Sequence, residues 1–229
     1  SIDVEWDLTS MRLRSLSAYN NSKSSLYTDA DGSDVVTLHD NPRRSHETFS
    51  QEFQILSAAG SELEWILGLF YYDENSGASE IFDIDNFFVA DGSKTVLEIP
   101  FDLESTAVGV FGQLEYPLTD KLTAVGGLRY NKDKKTNIGS LFLPAFGLDI
   151  TVADSDQWEE VTGRIGLNYH INDDVLAYGS FTTGYKAGGY NNIQPVYDPE
   201  TVAAYEAGLK GLWFEKAVQA SVSAFYYDY

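Results

Sequence analysis

One pattern constrains this chain more than any other: apolar residues recur at every second position, over and over, in segments of about nine residues. In Leu63–Tyr71 one face reads Leu63, Trp65, Leu67, Leu69, Tyr71. In Val108–Tyr116 it reads Val108, Val110, Gly112, Leu114, Tyr116, in Leu122–Tyr130 Leu122, Ala124, Gly126, Leu128, Tyr130, and in Val161–Tyr169 Val161, Gly163, Ile165, Leu167, Tyr169. A repeat of two puts alternate side chains on opposite faces of a β-strand and fits no helix. Further strands are expected at Glu47–Ser57, Val175–Tyr185, Val202–Leu212 and Ala217–Tyr229. Val4–Tyr19 fits less well, because its apolar phase slips near Leu16, and a β-bulge is expected there. No run approaches the roughly 18 consecutive apolar residues of a membrane-spanning helix.

The connections sort into two classes that take turns along the chain. Short ones lie near Ala59–Glu62, Pro117–Asp120, Ile171–Asp174 and Phe214–Lys216; long ones near Asn20–His46, Asn75–Ser105, Asn137–Asp156 and Ala187–Thr201. An up-and-down barrel in an outer membrane has this asymmetry, with short periplasmic turns and long extracellular loops, whereas a soluble sandwich has no reason for it. Aromatic residues agree. Trp65, Tyr116 and Tyr169 stand on the apolar face beside short turns, and Tyr71, Tyr130 and Tyr205 on that face beside long loops. Amphipathic rings settle at the two lipid headgroup levels. The band between them, roughly 20–27 Å of strand before tilt, suits an apolar belt of about 25 Å.

The opposite face is polar and charged. It carries Glu115, Arg129, Arg164, Glu206 and Lys210, which are expected to face a lumen, as are Glu52 and Glu64. Charges there require a wide barrel, of the kind that holds water or a plug. Nine strands do not close such a barrel, and an odd count does not suit a complete bacterial one. The expected fold is therefore all-β: an antiparallel up-and-down transmembrane β-barrel segment of about nine strands, an incomplete barrel. The sequence starts at Ser1 without a methionine or a signal peptide and stops at Tyr229 in the middle of an alternation, so the chain is expected to be part of a longer product.

Several function classes fall away. With 15 Lys and Arg against 35 Asp and Glu, the net charge is −20, unsuited to nucleic acid. Without cysteine there is no disulfide framework and no thiolate metal site. His39, His46 and His170 lack metal-ligand spacing, and no nucleophile elbow or glycine-rich phosphate loop occurs. The reading is of a non-enzyme with no cofactor and no metal site. Asp29, Asp31 and Asp34 surround Gly32, but the spacing departs from a Ca²⁺ loop and solvated acids are the plainer reading. Arg43, Arg44 and His46 form a basic spot suited to an anionic ligand or a lipopolysaccharide phosphate, against the simpler reading of a solvated loop. Gly184–Asn192, rich in glycine and aromatics, suits ligand contact at the outer mouth through Tyr185, Lys186, Tyr190 and Asn191, against the simpler reading of glycines permitting a bend.

Ordered motifs carry a family resemblance. Val175–Asn192 (VLAYGSFTTGYKAGGYNN) and Pro199–Lys210 (PETVAAYEAGLK) resemble consecutive strands of TonB-dependent receptors. So do Phe49–Ser57 (FSQEFQILS), Leu63–Tyr72 (LEWILGLFYY), Leu122–Lys132 (LTAVGGLRYNK) and Ala217–Tyr229, which ends SAFYYDY. The resemblance implies that residues 1–229 are part of one receptor β-barrel domain in the bacterial outer membrane, without the family's plug domain or its C-terminal strands. It implies energy-coupled uptake of a ferric siderophore or similar bulky nutrient, with outer-membrane lipid around the wall and a TonB-type coupling protein acting through the missing plug. A passive porin-like or adhesin-like barrel, or a soluble carbohydrate-binding β protein, are the other readings.

Overall fold

In a computed structural model, which describes residues 1–32, 38–85 and 94–229, the chain is one antiparallel sheet. Its strands are β1 (Ile2–Asp7), β2 (Met11–Ser25), β3 (Thr28–Asp29), β4 (Leu38–Asp40), β5 (Arg43–Ser57), β6 (Glu64–Asp85), β7 (Lys94–Thr119), β8 (Leu122–Leu143), β9 (Leu148–Asn172), β10 (Val175–Lys186), β11 (Glu200–Trp213) and β12 (Val218–Asp228). Neighbours pair in the order β1-β2-β5-β6-β7-β8-β9-β10-β11-β12, and β3 and β4 form a small hairpin beside β6. Sequential strands lie side by side, as in an up-and-down barrel, and the sheet is open at β1 and β12.

Among the described residues the expected count of nine strands becomes twelve: the small hairpin of β3 and β4 adds two within the expected long loop Asn20–His46, and Val4–Tyr19 is two strands. The phase slip there comes not from a bulge but from a reversal at Leu8–Ser10, where the Leu8 amide donates to the Met11 carbonyl at 2.9 Å. The hairpin sets Arg12 opposite Asp7 and Arg14 opposite Glu5, so the two arginines face three acids of β1. Arg12 Nε lies 2.6 Å from Asp7, and Arg14 bonds Asp3 at 2.5 Å and Glu5 at 3.2 Å. Glu52 on β5 shares this face and accepts from Gln54 Nε2.

The long connections are shorter than expected. The β6–β7 ladder runs unbroken up to Asp85 opposite Lys94, and β8 and β9 continue to Leu143 opposite Leu148, closed by a 3-10 turn at Pro144–Phe146. Sequence alternation marks a strand only where one face meets lipid or a core. Farther along these strands neither face is apolar, the alternation fades, and the backbone ladder persists regardless.

The apolar face is the exposed one. Leu67, Leu69, Leu128 and Ile165 are 55%, 56%, 68% and 65% exposed. Cross-strand register groups them: Ile55 faces Leu67, Leu69 faces Val110, Tyr130 faces Val161, and Phe181 faces Ile165 on one side and Tyr205 on the other. Bare aliphatic surface of this extent is tolerated only against lipid or a partner. Trp6, Tyr116, Tyr169 and Trp213 mark its lower edge, and Tyr19, Phe49, Tyr71, Tyr130, Tyr205 and Tyr226 its upper edge. At that upper edge Phe49 packs on Tyr71 with ring centroids 6.4 Å apart, and Tyr205 on Tyr226 at 6.3 Å.

Candidate ligand-binding mouth

Above the aromatic edge, β6 to β9 stand clear as a wall whose inner face continues the polar phase of the segments below. On β8 that phase runs Gly127, Arg129, Asn131, Asp133, Lys135, Asn137, Gly139; on β9 it runs Arg164, Thr162, Glu160, Trp158, Asp156, Asp154. β10 stops pairing with β9 at Thr182 opposite Arg164, so the upper part of β9 has no further neighbour in the sheet. The segment between β10 and β11, residues 187–199, instead lies back across the inner face of β8 and β9.

Two side chains fasten this strap. Lys135 Nζ donates to the Gly188 carbonyl at 2.8 Å and sits 6.0 Å from the Trp158 ring centroid. Asn137 Nδ2 donates to the Asn192 carbonyl at 2.9 Å. The strap is itself pinched by Gly189 and Tyr197, whose amides and carbonyls exchange bonds of 3.1 and 2.9 Å. The seat depends on missing side chains. A Cβ on Gly139 would fall 2.5 Å from Asn192, and one on Gly188 2.5 Å from the Tyr197 carbonyl and 2.7 Å from the Trp158 ring. Gly188 thus serves close approach rather than a left-handed bend; the positive φ here belongs to Asn192, at 55°, a residue type that tolerates it.

The seam between strap and wall is polar and largely dry. Asn137 is 0% exposed, Tyr190 7% and Ser105 7%. The Oδ1 atoms of Asn137 and Asn192, Ser105 Oγ and the hydroxyls of Tyr185 and Tyr190 are buried without hydrogen-bond partners. Electrostatics record the same burial. Desolvation raises the Asp133 carboxyl above its ordinary range against the pull of Lys135 and Arg129. It lowers Lys135 against the pull of Asp133 and Glu74. Tyr185 is pushed up to about 12 by burial and by Asp133 and Glu160. Tyr190 is raised by burial and by Asp154 and Asp156. Such a seam offers acceptors, phenols and one confined ammonium to an incoming polar ligand.

The predicted mouth residues are distributed as follows. Tyr185 and Tyr190 lie at the seam. Lys186 is exposed and pairs with Glu200 at 3.3 Å, and Asn191 donates to Gln194 within the strap at 3.4 Å. The basic spot is divided by the pleat: Arg44 and His46 project from the inner face and Arg43 from the outer. Arg44 pairs with Glu80 at 2.8 Å. His46 Nδ1 lies 2.8 Å from Ser76 Oγ, which donates to Glu74 at 2.6 Å; Tyr72 donates to the same carboxylate at 3.0 Å. Asp29 Oδ1 accepts the amides of Asp31 and Gly32 at 3.2 and 3.1 Å, an ordinary turn, and Asp34 lies outside the described residues.

Lower on the same inner face, Arg129 lies against Phe70 and Phe111, at 5.3 and 5.5 Å from the ring centroids, and donates to Asn131 at 2.6 Å. Arg164 shares a shallow groove of about 250 Å³ with Arg129 and Gln113. Glu115 accepts from Gln113 at 3.3 Å and stands opposite Glu64. Glu206 accepts from Tyr178 at 2.6 Å, and Lys210 lies 4.8 Å over the ring of Tyr178. Lys135, Asn137, Asp133 and Trp158 were missing from the expected set. The signal that finds them is the inner phase itself, carried forward from Arg129 two residues at a time.

The family model for the TonB dependent receptor-like β-barrel matches residues 1–229. The chain belongs to the TonB-dependent receptor family. TonB-dependent receptors are bacterial outer-membrane proteins and not enzymes. The ferric-pyoverdine M114 receptor PbuA of Pseudomonas sp. strain M114 is 25% identical over 143 residues, 62% of this chain and 17% of its own length. The pesticin receptor of Yersinia enterocolitica is 25% identical over 154 residues, 64% of this chain and 21% of that one. The chain thus matches about a fifth of these relatives. Among solved structures, the ferric yersiniabactin uptake receptor FyuA from Yersinia pestis superposes with a TM-score of 0.83 at 18% identity, over 97% of this chain and 34% of that one. The siderophore receptor PiuA from Acinetobacter baumannii gives 0.72 at 17% identity, over 97% and 38%. At such identities these structures speak for the fold.

Proposed function

We propose that this chain is wall and mouth of a receptor that takes up a ferric siderophore, or a nutrient complex of similar bulk, with energy coupled from the inner membrane. The observation that carries the reading is the strap of residues 187–199, folded onto the inner wall over buried polar atoms without partners. A passive pore has no need of such a seat, whereas a receptor needs polar groups held in place and released from one another only when a ligand supplies their bonds. Tyr185, Tyr190 and Lys135 are the ligand-facing groups, with Arg44, Lys186 and Asn191 at the rim; Arg43 projects from the outer face and takes no part here.

Glu115, Arg129, Arg164, Glu206 and Lys210 line the lumen below. Arg129 and Arg164, without carboxylate partners among the described residues, hold charge for whatever fills the barrel. Coupling to a TonB-type protein runs through a plug domain outside this chain. Named relatives and neighbours support an iron-chelate cargo: a ferric-pyoverdine receptor and a ferric yersiniabactin uptake receptor. A copper transporter, OprC, shares the fold at a TM-score of 0.71, so the fold alone does not choose the metal.

The test is uptake of radiolabelled ferric siderophores by cells carrying the full-length gene, with and without TonB. The reading expects accumulation that vanishes without TonB and weakens in a Lys135→Met receptor. Equal accumulation in both strains would overturn it.

A further inference from the structure

Charge around the strap is lopsided. On the inner phase of β8 and β9, above Arg129 and Arg164, stand four acids, Asp133, Asp154, Asp156 and Glu160, and one cation, Lys135. Lys135 faces Asp156 directly across the two strands, yet its Nζ is turned to the Gly188 carbonyl at 2.8 Å. The strap thus draws off the one cation that its register sets against Asp156. Asp154 and Asp156 accept the amides of Ser155 and Gln157, at 2.8 and 2.7 Å, and among the described residues none of the four acids has an ion pair. Two cations at the rim are already paired, Arg44 with Glu80 at 2.8 Å and Lys186 with Glu200 at 3.3 Å.

The buried atoms beside these acids lack donors. Asn137, directly opposite Asp154, is 0% exposed, and its Oδ1 has no partner. Asn192 Oδ1, on the strap, is buried and unpartnered in the same way. An amide oxygen only accepts, so an N–H or O–H must come from outside to satisfy either one. Tyr190, 7% exposed, adds an unpartnered hydroxyl on which Asp154 and Asp156 act. Acids without cations and acceptors without donors call for the same kind of visitor. A cleft lined by one sign of charge concentrates ions of the other.

We propose that this mouth takes a metal chelate of net positive charge, which brings N–H donors to Asn137 and Asn192 and a cationic group to Asp154 and Asp156. The inference rests on the uptake reading and narrows its cargo. A ferric trihydroxamate, whose singly charged hydroxamates cancel the charge of iron(III), is cationic when it carries a free amine, whereas a ferric tris-catecholate is strongly anionic.

The test measures binding of one ferric trihydroxamate frame to the full-length receptor in detergent, by isothermal titration, with its terminal amine free, acetylated or succinylated. From the cationic to the anionic form, affinity is expected to fall about tenfold at low ionic strength, and by less as salt screens the acids. The double variant Asp154→Asn with Asp156→Asn should bring the three forms to within about twofold of one another. Asp102→Asn with Glu104→Gln, two exposed acids on the outer phase of β7, should leave their order intact. Heat-modifiable gel migration checks that each variant is a folded barrel. Equal affinity for the three forms, the reverse order, or binding of none of them would overturn the proposal. So would equal flattening in the β7 variant, which would mean diffuse charge. Uptake is tested separately, by the dependence of accumulation on TonB, and survives each of these outcomes.

Discussion

Placing arginine at Ile165 separates the two faces of one strand most sharply. Ile165 sits midway along the belt segment of β9, 65% exposed, facing Gly126 on β8 and Phe181 on β10. Its neighbour Arg164 already carries a guanidinium, on the other face. If the exposed face meets hydrocarbon, Ile165→Arg puts a charge near the bilayer midplane, at a cost of about 2–4 kcal/mol. Part of that cost is the lost transfer of an isoleucine side chain, itself worth about 1.5–3 kcal/mol when fully buried, so the two losses overlap rather than add. Arg164→Ile removes a charge that is unpaired among the described residues and faces a polar lumen, and is expected to change stability by about 1 kcal/mol or less. The assay is reversible denaturant unfolding of the full-length receptor in phospholipid vesicles, with folded barrel followed by tryptophan fluorescence. A midpoint for Ile165→Arg close to that of the parent, with the midpoint of Arg164→Ile raised well above it, would mean that the faces are assigned backwards.

Three further outcomes follow from the mouth. Gly139→Val places two methyls where Asn192 now lies; it should release the strap and speed proteolytic cutting within residues 187–199, with the barrel intact on gels, and an unchanged cutting rate would count against the seat. Asp133, raised by burial, holds its proton to higher pH folded than unfolded. Its contribution to stability is therefore full below the unfolded carboxyl range near about 4 and is lost as pH rises through its raised value. Asp133→Asn should flatten that fall above about pH 4 in denaturant titrations, and a steeper fall would contradict the argument. Arg44→Ala removes an ion pair whose arginine side chain is 65% exposed, and should cost less than about 1 kcal/mol in the same unfolding assay.

The belt was legible in the sequence because an apolar face and a polar face write a repeat of two into the residues. Leu122–Tyr130 and Val161–Tyr169 are strands as read, the first longer at one end and the second at both. Two things hid the rest. At Leu8–Ser10 the chain reverses within three residues of no marked turn character, so the hairpin looked like a fault in a single strand. Above the aromatic edge, segments such as Lys132–Gly139 and Asp149–Trp158 have no apolar face, and their polar composition resembles loop. The mouth was read in part: Tyr185 and Tyr190 stood out by composition, but Lys135 and Asn137 matter through a contact more than fifty residues away, which no local pattern encodes. Arg43 and Arg44, adjacent in sequence, are separated by the pleat onto opposite faces, so counting them as one basic spot merged two surfaces.

A barrel wall requires the exposed face of the sheet to meet lipid, and β6 offers the most demanding test. Residues Ile66–Tyr72 are nearly all apolar, so hydropathy does not distinguish the faces. Structure does: Leu67, Leu69 and Tyr71 are exposed on the belt, while Phe70 lies beneath Arg129 on the other side. The chain has no cysteine, so single cysteines at positions 66 to 72 of a full-length receptor cleared of other cysteines, spin-labelled in vesicles, report each position's surroundings. Collision with oxygen should peak at 67, 69 and 71, and collision with a water-soluble nickel chelate at 66, 68, 70 and 72. A uniform oxygen signal across all seven, or the opposite phase, would contradict the barrel-wall reading.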